Sequence, residues 1–333
     1  MQFADEKLGD VATPGVIYVG ELHDQYSYHL NQLAIIQALN QRGLNVAVGL
    51  EMIQVPFQQP LDDYVEGRID FETMLERTEY FSRWRIDPRH YYPIFEYAQT
   101  HKIPLIALNA SKELTEKIGM VGIAGLDQND RTKLPDELIP PAPEYRSILE
   151  EIFLEHDGAD AGDVERFIQV QRVWDEMMGK RSVEFLRDHP DHVLVVLAGV
   201  QHVSHGYGIP SRVRNDLGID GTIVLSEKER KRIPDGGDIF LSLEKQTLPD
   251  NGRMGILIND SESGVVVAGF APNSPAKKTG MAEQDVITTI NGRSIEKYSD
   301  VRLALWDKTP GHSVYVTVRR NEDSELQFSF ALF

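Results

Sequence analysis

The chain has 333 residues, of which 41% are hydrophobic, so it can bury a large core, and this length favours about two domains. Lys and Arg total 34 against 52 Asp and Glu, and the resulting net charge of −18 argues against nucleic acid or an anionic lipid surface as a partner. The absence of cysteine excludes disulfides, Cys-ligated zinc, iron–sulfur clusters and thiolate-ligated haem.

The first ten residues, MQFADEKLGD, are polar and lack the basic and apolar regions of a signal peptide. No run of about 18 apolar residues predicts a membrane-spanning helix. Two interpretations fit these observations. Either the protein is cytosolic, or a secretion signal with a lipid-anchored cysteine belongs to the full-length protein and has been removed.

Nearly continuous apolar runs predict strands that are buried on both faces of a parallel sheet. These runs are Val16–Val19, Val46–Leu50, Ile103–Leu108, His192–Ala198 and Thr222–Leu225. Helical patterns lie between them, at His29–Gln41, Arg89–His101 and Asp163–His189. Strands that alternate with helices predict an α/β domain whose mainly parallel sheet is flanked by helices.

Two departures from this alternation define the predicted domain organisation. The region of about residues 56–100 has helical periodicity but no strand, which indicates a helical insertion. The charged stretch SEKERKRIPDGGD after Leu225 reads as a linker, and short alternating strands follow it. We therefore predict an α/β domain over residues 1–235 and a mainly-β domain over residues 236–333.

Ionisable or metal-binding side chains follow the predicted strands, where an open parallel sheet binds its ligands. Glu21 and His23 follow the first strand, Glu51 the second, Asn109 the third, and His202 the fourth. A lone Glu or Asn in such a place is usually a helix cap or a turn residue. Because several strand ends carry such groups at once, we predict a functional site at this edge of the sheet.

Glu21, His23, Glu51 and His202 support two kinds of chemistry. As metal ligands they suit Mn, Fe or Zn with an activated water for hydrolysis. Without a metal, Glu21 or Glu51 is a candidate general base and His23 a candidate general acid.

Three further residues each have a functional and a structural interpretation. His29 is either a ligand or a surface histidine at a helix start. Asp175 lies on a helical stripe with Trp174 and either points inward or is exposed and paired with a cation. Trp84 either packs in a core or lines an apolar cofactor pocket.

Five strings of the sequence resemble the ordered blocks of the ChaN family of iron-regulated bacterial lipoproteins, over about residues 14–225. The strings are VGELHDQYSYHLNQL, VGLEM, YYPIFEYAQTHKIPLIALNAS, QVQRVWDEMM and VLAGVQHVSHGYGIPSRV. The family is similar in core layout to erythromycin esterase-like and Tiki or TraB-like proteins. Glu21, His23, Glu51 and His202 occupy the positions of that shared pattern, and His29 and Asp175 match positions of the ChaN blocks.

The resemblance implies an outer-membrane lipoprotein or periplasmic protein of the cell envelope that takes part in iron acquisition. It also implies haem binding through a tyrosine and a histidine shared between subunits, and therefore a homodimer. On this basis the expected haem-binding residues are His29, Trp84, Asp175, His202, His205, Tyr207 and Tyr26.

The second domain resembles a PDZ domain of the circularly permuted type found in bacterial periplasmic proteases. Its signature includes GVVV at 264–267, PNSPA at 272–276 and ING at 290–292. The resemblance implies that Met254, Gly255 and Ile256 bind the carboxylate of a C-terminal peptide or protein tail, beside a helix at Ser299–Lys308. The alternative is an occluded groove that only braces the first domain. No Ser/His/Asp order of a protease precedes the domain.

Two functions follow from these patterns. The first is a haem- or iron-binding protein of the envelope with a peptide-binding PDZ module. The second is a metal-dependent or Glu/His-based hydrolase, similar to an esterase or peptidase, that uses the same strand ends.

Overall fold

A computed structural model describes residues 15–154, 163–321 and 324–333, so the polar chain start lies outside the described residues. The chain forms two compact units. The first contains the residues up to Thr78 together with Tyr91–Gln246, and the second contains Glu79–His90 together with Thr247–Phe333. Within the described ranges, no helix combines the length and the apolar composition that crossing a membrane requires.

The first unit contains a six-stranded sheet in the order β3-β2-β4-β1-β5-β6, and its strands pair in parallel. The strands are β1 (Gly15–Glu21), β2 (Asn45–Gln54), β3 (Leu105–Asn109), β4 (His192–Gly199), β5 (Thr222–Ser226) and β6 (Ile239–Leu241). All seven residues of β1 are buried, as the continuous apolar runs predict. The predicted α/β class with a mainly parallel sheet is confirmed.

The register of the central strands brings their carboxyl ends to the same level. Glu21 of β1 is paired with Gly199 of β4, and Leu50 of β2 is paired with Leu197 of β4. Because β2, β4 and β1 are neighbours in the sheet, the side chains that follow them share one edge.

Helices flank the sheet. In the described part of the chain, helices without a strand connect β2 to β3, as the helical periodicity of about residues 56–100 predicts. The described α-helices between β1 and β6 along the chain are α1 (Tyr26–Gln41), α2 (Gln58–Val65), α3 (Phe71–Arg77), α4 (Tyr80–Arg83), α5 (Tyr92–His101), α6 (Lys112–Val121), α7 (Gln128–Arg131), α8 (Pro143–Leu154), α9 (Val164–Asp188), α10 (Val200–Val203), α11 (Ile209–Leu217) and α12 (Glu227–Arg230). Of these, α4 belongs to the second unit.

Two helices begin three residues away from the start that the sequence predicts. Helix α1 begins at Tyr26 instead of His29, because the turn closed by the Gln25 N–H on the Leu22 carbonyl (3.0 Å) leads directly into it. Helix α5 begins at Tyr92 instead of Arg89, with a proline in its first turn, where proline is tolerated.

The second unit contains an antiparallel sheet in the order β12-β11-β9-β8-β7, and the short β10 pairs with β9. Its elements are β7 (Ile256–Ser261), β8 (Gly264–Phe270), α13 (Pro275–Lys278), β9 (Val286–Ile290), β10 (Arg293–Ser294), α14 (Tyr298–Leu305), β11 (Ser313–Arg320) and β12 (Ser324–Ala331). Asn291 and Gly292, at φ 51° and 82°, form the turn between β9 and β10. The predicted mainly-β class of the second domain is confirmed.

Candidate functional site

The end of β1 carries a buried carboxylate with four protein partners. Glu21, 2% exposed, accepts through Oε1 from Nδ1 of His23 and from the Tyr91 hydroxyl, both at 2.7 Å. Its Oε2 accepts from the Gln32 amide at 2.5 Å and lies 3.5 Å from Nδ1 of His29. Burial alone would raise the pKa of Glu21, but His29 and the bonds from His23 and Gln32 lower it to about 2.

His23 is the partner of Glu21 that reaches solvent, since 33% of its side chain is exposed. Partial burial acts to lower its pKa. The hydrogen bond to Glu21 and the charges of Glu51 and Glu21 outweigh burial and raise the pKa to about 9. Glu21 and His23 therefore form an ion pair at neutral pH.

His29 lies in the first turn of α1 and is only 1% exposed, so the interpretation as a surface histidine is wrong. Its Nε2 is 3.0 Å from the backbone oxygen of His23, and its Nδ1 is 3.0 Å from Oε1 of Gln32. The ring also meets Tyr91 edge to face at 4.3 Å. His29 thus holds the backbone that carries His23.

A second buried carboxylate comes from helix α9 and holds the histidine that follows β4. Oδ1 of Asp175 lies 2.7 Å from Nδ1 of His202, and Oδ2 accepts from the Tyr145 hydroxyl at 2.7 Å. Asp175 is 4% exposed, so the exposed alternative for this residue is wrong. Burial acts to lower the pKa of His202, but the charges of Glu51 and Asp175 raise it above its usual value.

Gly199, the last residue of β4, binds Glu51 and lies close to both His23 and His202. Its N–H donates to Oε2 of Glu51 at 2.6 Å, while Oε1 of Glu51 lies 3.4 Å from Nε2 of His202. A Cβ at position 199 would lie 3.2 Å from Cε1 of His23 and 3.6 Å from Cδ2 of His202. Glycine therefore lets two imidazoles approach the strand end. We call Glu21, His23, Glu51, Asp175 and His202 the rim.

The predicted metal set of Glu21, His23, Glu51 and His202 is engaged in bonds within the protein. Three of the four carboxylate oxygens of Glu21 and Glu51 accept hydrogen bonds, and the fourth faces His202. Within the described ranges, no group of three or more His, Asp and Glu side chains is arranged to hold a metal ion. Asn109 serves the turn after β3, donating to the Glu51 carbonyl at 3.0 Å.

The remaining haem candidates occupy three places. His205 and Tyr207 are half-buried after β4, with ring centroids 5.7 Å apart, and Tyr207 stacks on Tyr145 at 5.5 Å. Tyr26 is half-buried at the start of α1. Trp84 belongs to the second unit, whereas the other candidates belong to the first.

A cavity of about 210 Å³ opens beside Asp175 and is also lined by Tyr145, Tyr207 and Gly208. Pockets that enclose a small organic ligand are larger, about 300–1,000 Å³. This cavity does not enclose a porphyrin.

Sequence reasoning missed three residues of the site, namely Gln32, Tyr91 and Tyr145. Gln32 could have been found, because it follows His29 at the spacing of one helical turn. Tyr91 and Tyr145 are paired with carboxylates 70 and 30 positions away, and no local pattern signals such a pairing.

The second unit has a groove between the edge strand β7, the loop before it and helix α14. The groove is a cavity of about 540 Å³ whose lining includes Met254, Gly255, Leu305 and Phe333. Among the described residues, the N–H groups of Met254 and Gly255 donate to no backbone carbonyl. Gly255 has φ +72°, and a Cβ there would lie 2.9 Å from Cα of Ser274, so the loop requires glycine.

Two family profiles match the chain. Residues 8–213 match the family described as haem-binding uptake, Tiki superfamily, ChaN. Residues 252–329 match the PDZ domain. A solved structure described as cofacial heme binding to ChaN of Campylobacter jejuni has a TM-score of 0.51 and 20% identity, and the match covers 69% of this chain and 85% of that one. At this identity the likeness concerns the fold.

Two curated relatives each match about a third of this chain. The serine protease Do-like HtrA of Bacillus subtilis is 32% identical over 120 residues, which are 35% of this chain and 25% of that protein. The human serine protease HTRA3 is 29% identical over 115 residues, which are 33% of this chain and 24% of that protein. The chain thus spans about a quarter of the length of these relatives.

Proposed function

The chain belongs to the ChaN family of haem-binding uptake proteins in the Tiki superfamily, and we propose that its first unit binds haem at the surface beside the rim. The observation that carries this proposal is the half-buried pair of His205 and Tyr207, in which Tyr207 also stacks on Tyr145. Histidine and tyrosine are established axial ligands of haem iron, and this chain has no cysteine.

The residues present fit a haem that lies on the surface. The cavity beside Asp175 is too small for a macrocycle, but Tyr207 at its edge is accessible. His29, His202 and Asp175 are buried and bonded to other side chains or backbone, so in this proposal they support the surface and do not ligate iron. A haem on the surface leaves one face open, and we propose that a second subunit covers it, which makes the protein a homodimer.

Hemin titration of the purified full chain tests haem binding. We expect a saturable Soret band for the wild type, and an affinity at least about tenfold lower for Tyr207→Phe and for His205→Gln, since each variant loses a ligand atom but keeps a planar side chain. Tyr97→Phe is the matched control, because Tyr97 stacks on His101 at 3.9 Å elsewhere in the unit.

Two outcomes contradict this proposal. One is the absence of any spectral change on adding hemin to the wild type. The other is wild-type affinity in both Tyr207→Phe and His205→Gln.

The rim supports hydrolysis as a second candidate function. His23 is cationic at neutral pH and reaches solvent, and such a group can donate a proton to a leaving group. Glu51 would accept a proton from water in this scheme, or the rim would rearrange to hold Mn, Fe or Zn. Hydrolysis assays with panels of esters and peptides, together with metal analysis of the protein, test this second function. We expect hydrolytic activity that the His23→Gln variant loses. A protein that contains no metal and hydrolyses none of these substrates would contradict it.

We propose that the groove of the second unit binds the C-terminal tail of a peptide or protein, as a strand added to the edge of β7. Two features of the loop support this: the backbone N–H groups of Met254 and Gly255 lack carbonyl partners among the described residues, and both residues are buried. N–H groups in that state suit a carboxylate.

Replacing Gly255 by alanine is expected to abolish tail binding, because a Cβ meets Cα of Ser274 at 2.9 Å and Cε1 of Phe333 at 2.8 Å. Gly292→Ala is the matched control: its φ is +82°, so it has the same backbone strain, but a Cβ there has no neighbour within 4 Å. Fluorescence anisotropy with a labelled octapeptide ending in leucine measures the effect. Equal loss of binding in both variants would contradict a specific role for the loop.

For the cellular role, we propose that the protein is anchored by a lipid to the envelope, in the outer membrane or facing the periplasm, and serves iron acquisition. The ChaN family membership supports this role, since the family is one of haem uptake. Fractionation of cells that express the natural gene tests the location, and recovery in the cytosolic fraction would refute it.

A further inference from the structure

Helix α14 runs antiparallel to β7 along the groove. At the far end of β7, the N–H of Tyr298 donates to Oδ1 of Asp260 at 2.7 Å. At the loop end, the N–H of Gly252 donates to the carbonyl of Lys308 at 2.9 Å. Leu305 therefore lies near the carboxylate-binding loop, and Tyr298 lies at the opposite end of the groove.

The groove carries positive charge in a chain whose net charge is −18. Its described lining includes Arg253 and Arg302 but no Asp or Glu. The guanidinium of Arg302 lies 5.0 Å from the ring centroid of Phe81, a buried residue of the same unit. This cation–π contact limits the positions that Arg302 adopts.

The spacing of the helix and of an added strand determines which peptide residue meets Arg302. In a strand, side chains alternate, so the last residue and the residue two before it face the same side, about 6.8 Å apart. Along a helix, Arg302 and Val301 lie about 4.5 and 6 Å before Leu305. If the last side chain of the tail meets Leu305, the residue two before it faces the helical turn that contains Val301 and Arg302. Of these three helix residues, Arg302 is the charged one.

We propose that the groove selects protein tails that end in a large apolar residue and carry Asp or Glu two residues before the end, with Arg302 as the specificity-determining residue. Met254, Ile256, Leu305 and Phe333 supply the apolar end of the groove. The Arg302 guanidinium binds the carboxylate of the acidic residue. This inference rests on the proposed capture of tails by the second unit.

The test uses the full chain and labelled octapeptides that end in leucine and carry Asp, Asn or Lys two residues before the end. We expect the Asp peptide to bind about five- to tenfold more tightly than the Asn peptide, with the Lys peptide the weakest. The Asp peptide with an amidated C-terminus is expected to lose binding, since it lacks the terminal carboxylate. Arg302→Gln is expected to abolish the preference, and Arg302→Glu to reverse it in favour of Lys.

Arg319→Glu is the matched control, because Arg319 is an exposed arginine on β11 of the same unit and does not line the groove. Circular dichroism and thermal unfolding check that the variants fold. If no peptide binds the wild type, the proposed tail capture fails and this inference fails with it. If the peptides bind without a preference for Asp, or if Arg302→Gln keeps the preference, only the inference is overturned.

Discussion

Replacing Asp175 by alanine is expected to lower the free energy of unfolding of the first unit by about 3–5 kcal/mol. Asp175 is 4% exposed and bonds both the Tyr145 hydroxyl and Nδ1 of His202. The variant leaves two buried polar groups without their acceptor, and it leaves His202 without one of the two carboxylates that raise its pKa. Urea unfolding followed by tryptophan fluorescence measures the loss, since Trp174 lies 6.2 Å from the His202 ring.

Two variants control for this result. Asp175→Asn keeps an oxygen acceptor on the same side chain and is expected to lose clearly less stability than the alanine variant. Glu184→Ala removes a partly exposed carboxylate from the same helix, where it pairs with Arg181 at the surface, and is expected to cost less than about 1 kcal/mol. A loss in Asp175→Ala no greater than that in Glu184→Ala would refute the structural role of Asp175.

The stability of the first unit is expected to fall on both sides of neutral pH because of the Glu21–His23 pair. The pKa of Glu21 is lowered from 4.5 to about 2, so its stabilisation is complete above pH 4.5 and is lost as the pH falls towards 2. A shift of this size corresponds to about 3 kcal/mol. The pKa of His23 is raised from 6.5 to about 9, so its contribution is complete below pH 6.5 and is lost as the pH rises through 9.

Glu21→Gln is expected to flatten the acid side of this profile and to move the midpoint of His23 down towards its usual value. The titration of the imidazole Cε1–H signals by NMR measures the midpoint, and urea unfolding at several pH values measures the profile. Glu229→Gln is the matched control, because Glu229 is a buried carboxylate of the same unit that accepts from Tyr28 at 2.8 Å. An unchanged His23 midpoint in Glu21→Gln would disprove the pairing.

The sequence could predict five of the six parallel strands because each of these is a continuous apolar run. It missed β6 (Ile239–Leu241), a three-residue strand that pairs with β5 although it lies in the predicted second domain. It could also predict which side chains follow the strands, since the carboxyl ends of parallel strands share an edge. The sequence could not predict the hydrogen-bond and ion-pair partners that determine the charge states of these side chains. Asp175 lies 27 positions from His202 on another element, and its helical periodicity was equally consistent with an exposed position.

The burial of His29 was missed because the start of α1 has no strong signal. Gln25 caps the helix without a side-chain hydrogen bond, and glutamine is not among the preferred N-cap residues. The added turn puts His29 inside the helix, facing Gln32, and not at its exposed start. In the second unit, the PDZ domain was recognisable from its motifs, but the contact of Arg302 with Phe81 joins residues more than 200 positions apart.

The grouping of Glu79–His90 with the second unit determines how the gene can be divided. The chain passes from one unit to the other at three peptide bonds, after Thr78, His90 and Gln246. A truncation after Gln246 would remove Arg302 and with it the cation–π contact on Phe81. An isolated fragment that starts at Thr247 would lack Phe81. The PDZ region alone therefore lacks part of the second unit. A chimaera that receives the PDZ region of another protein should also receive the segment of that protein that corresponds to residues 79–90.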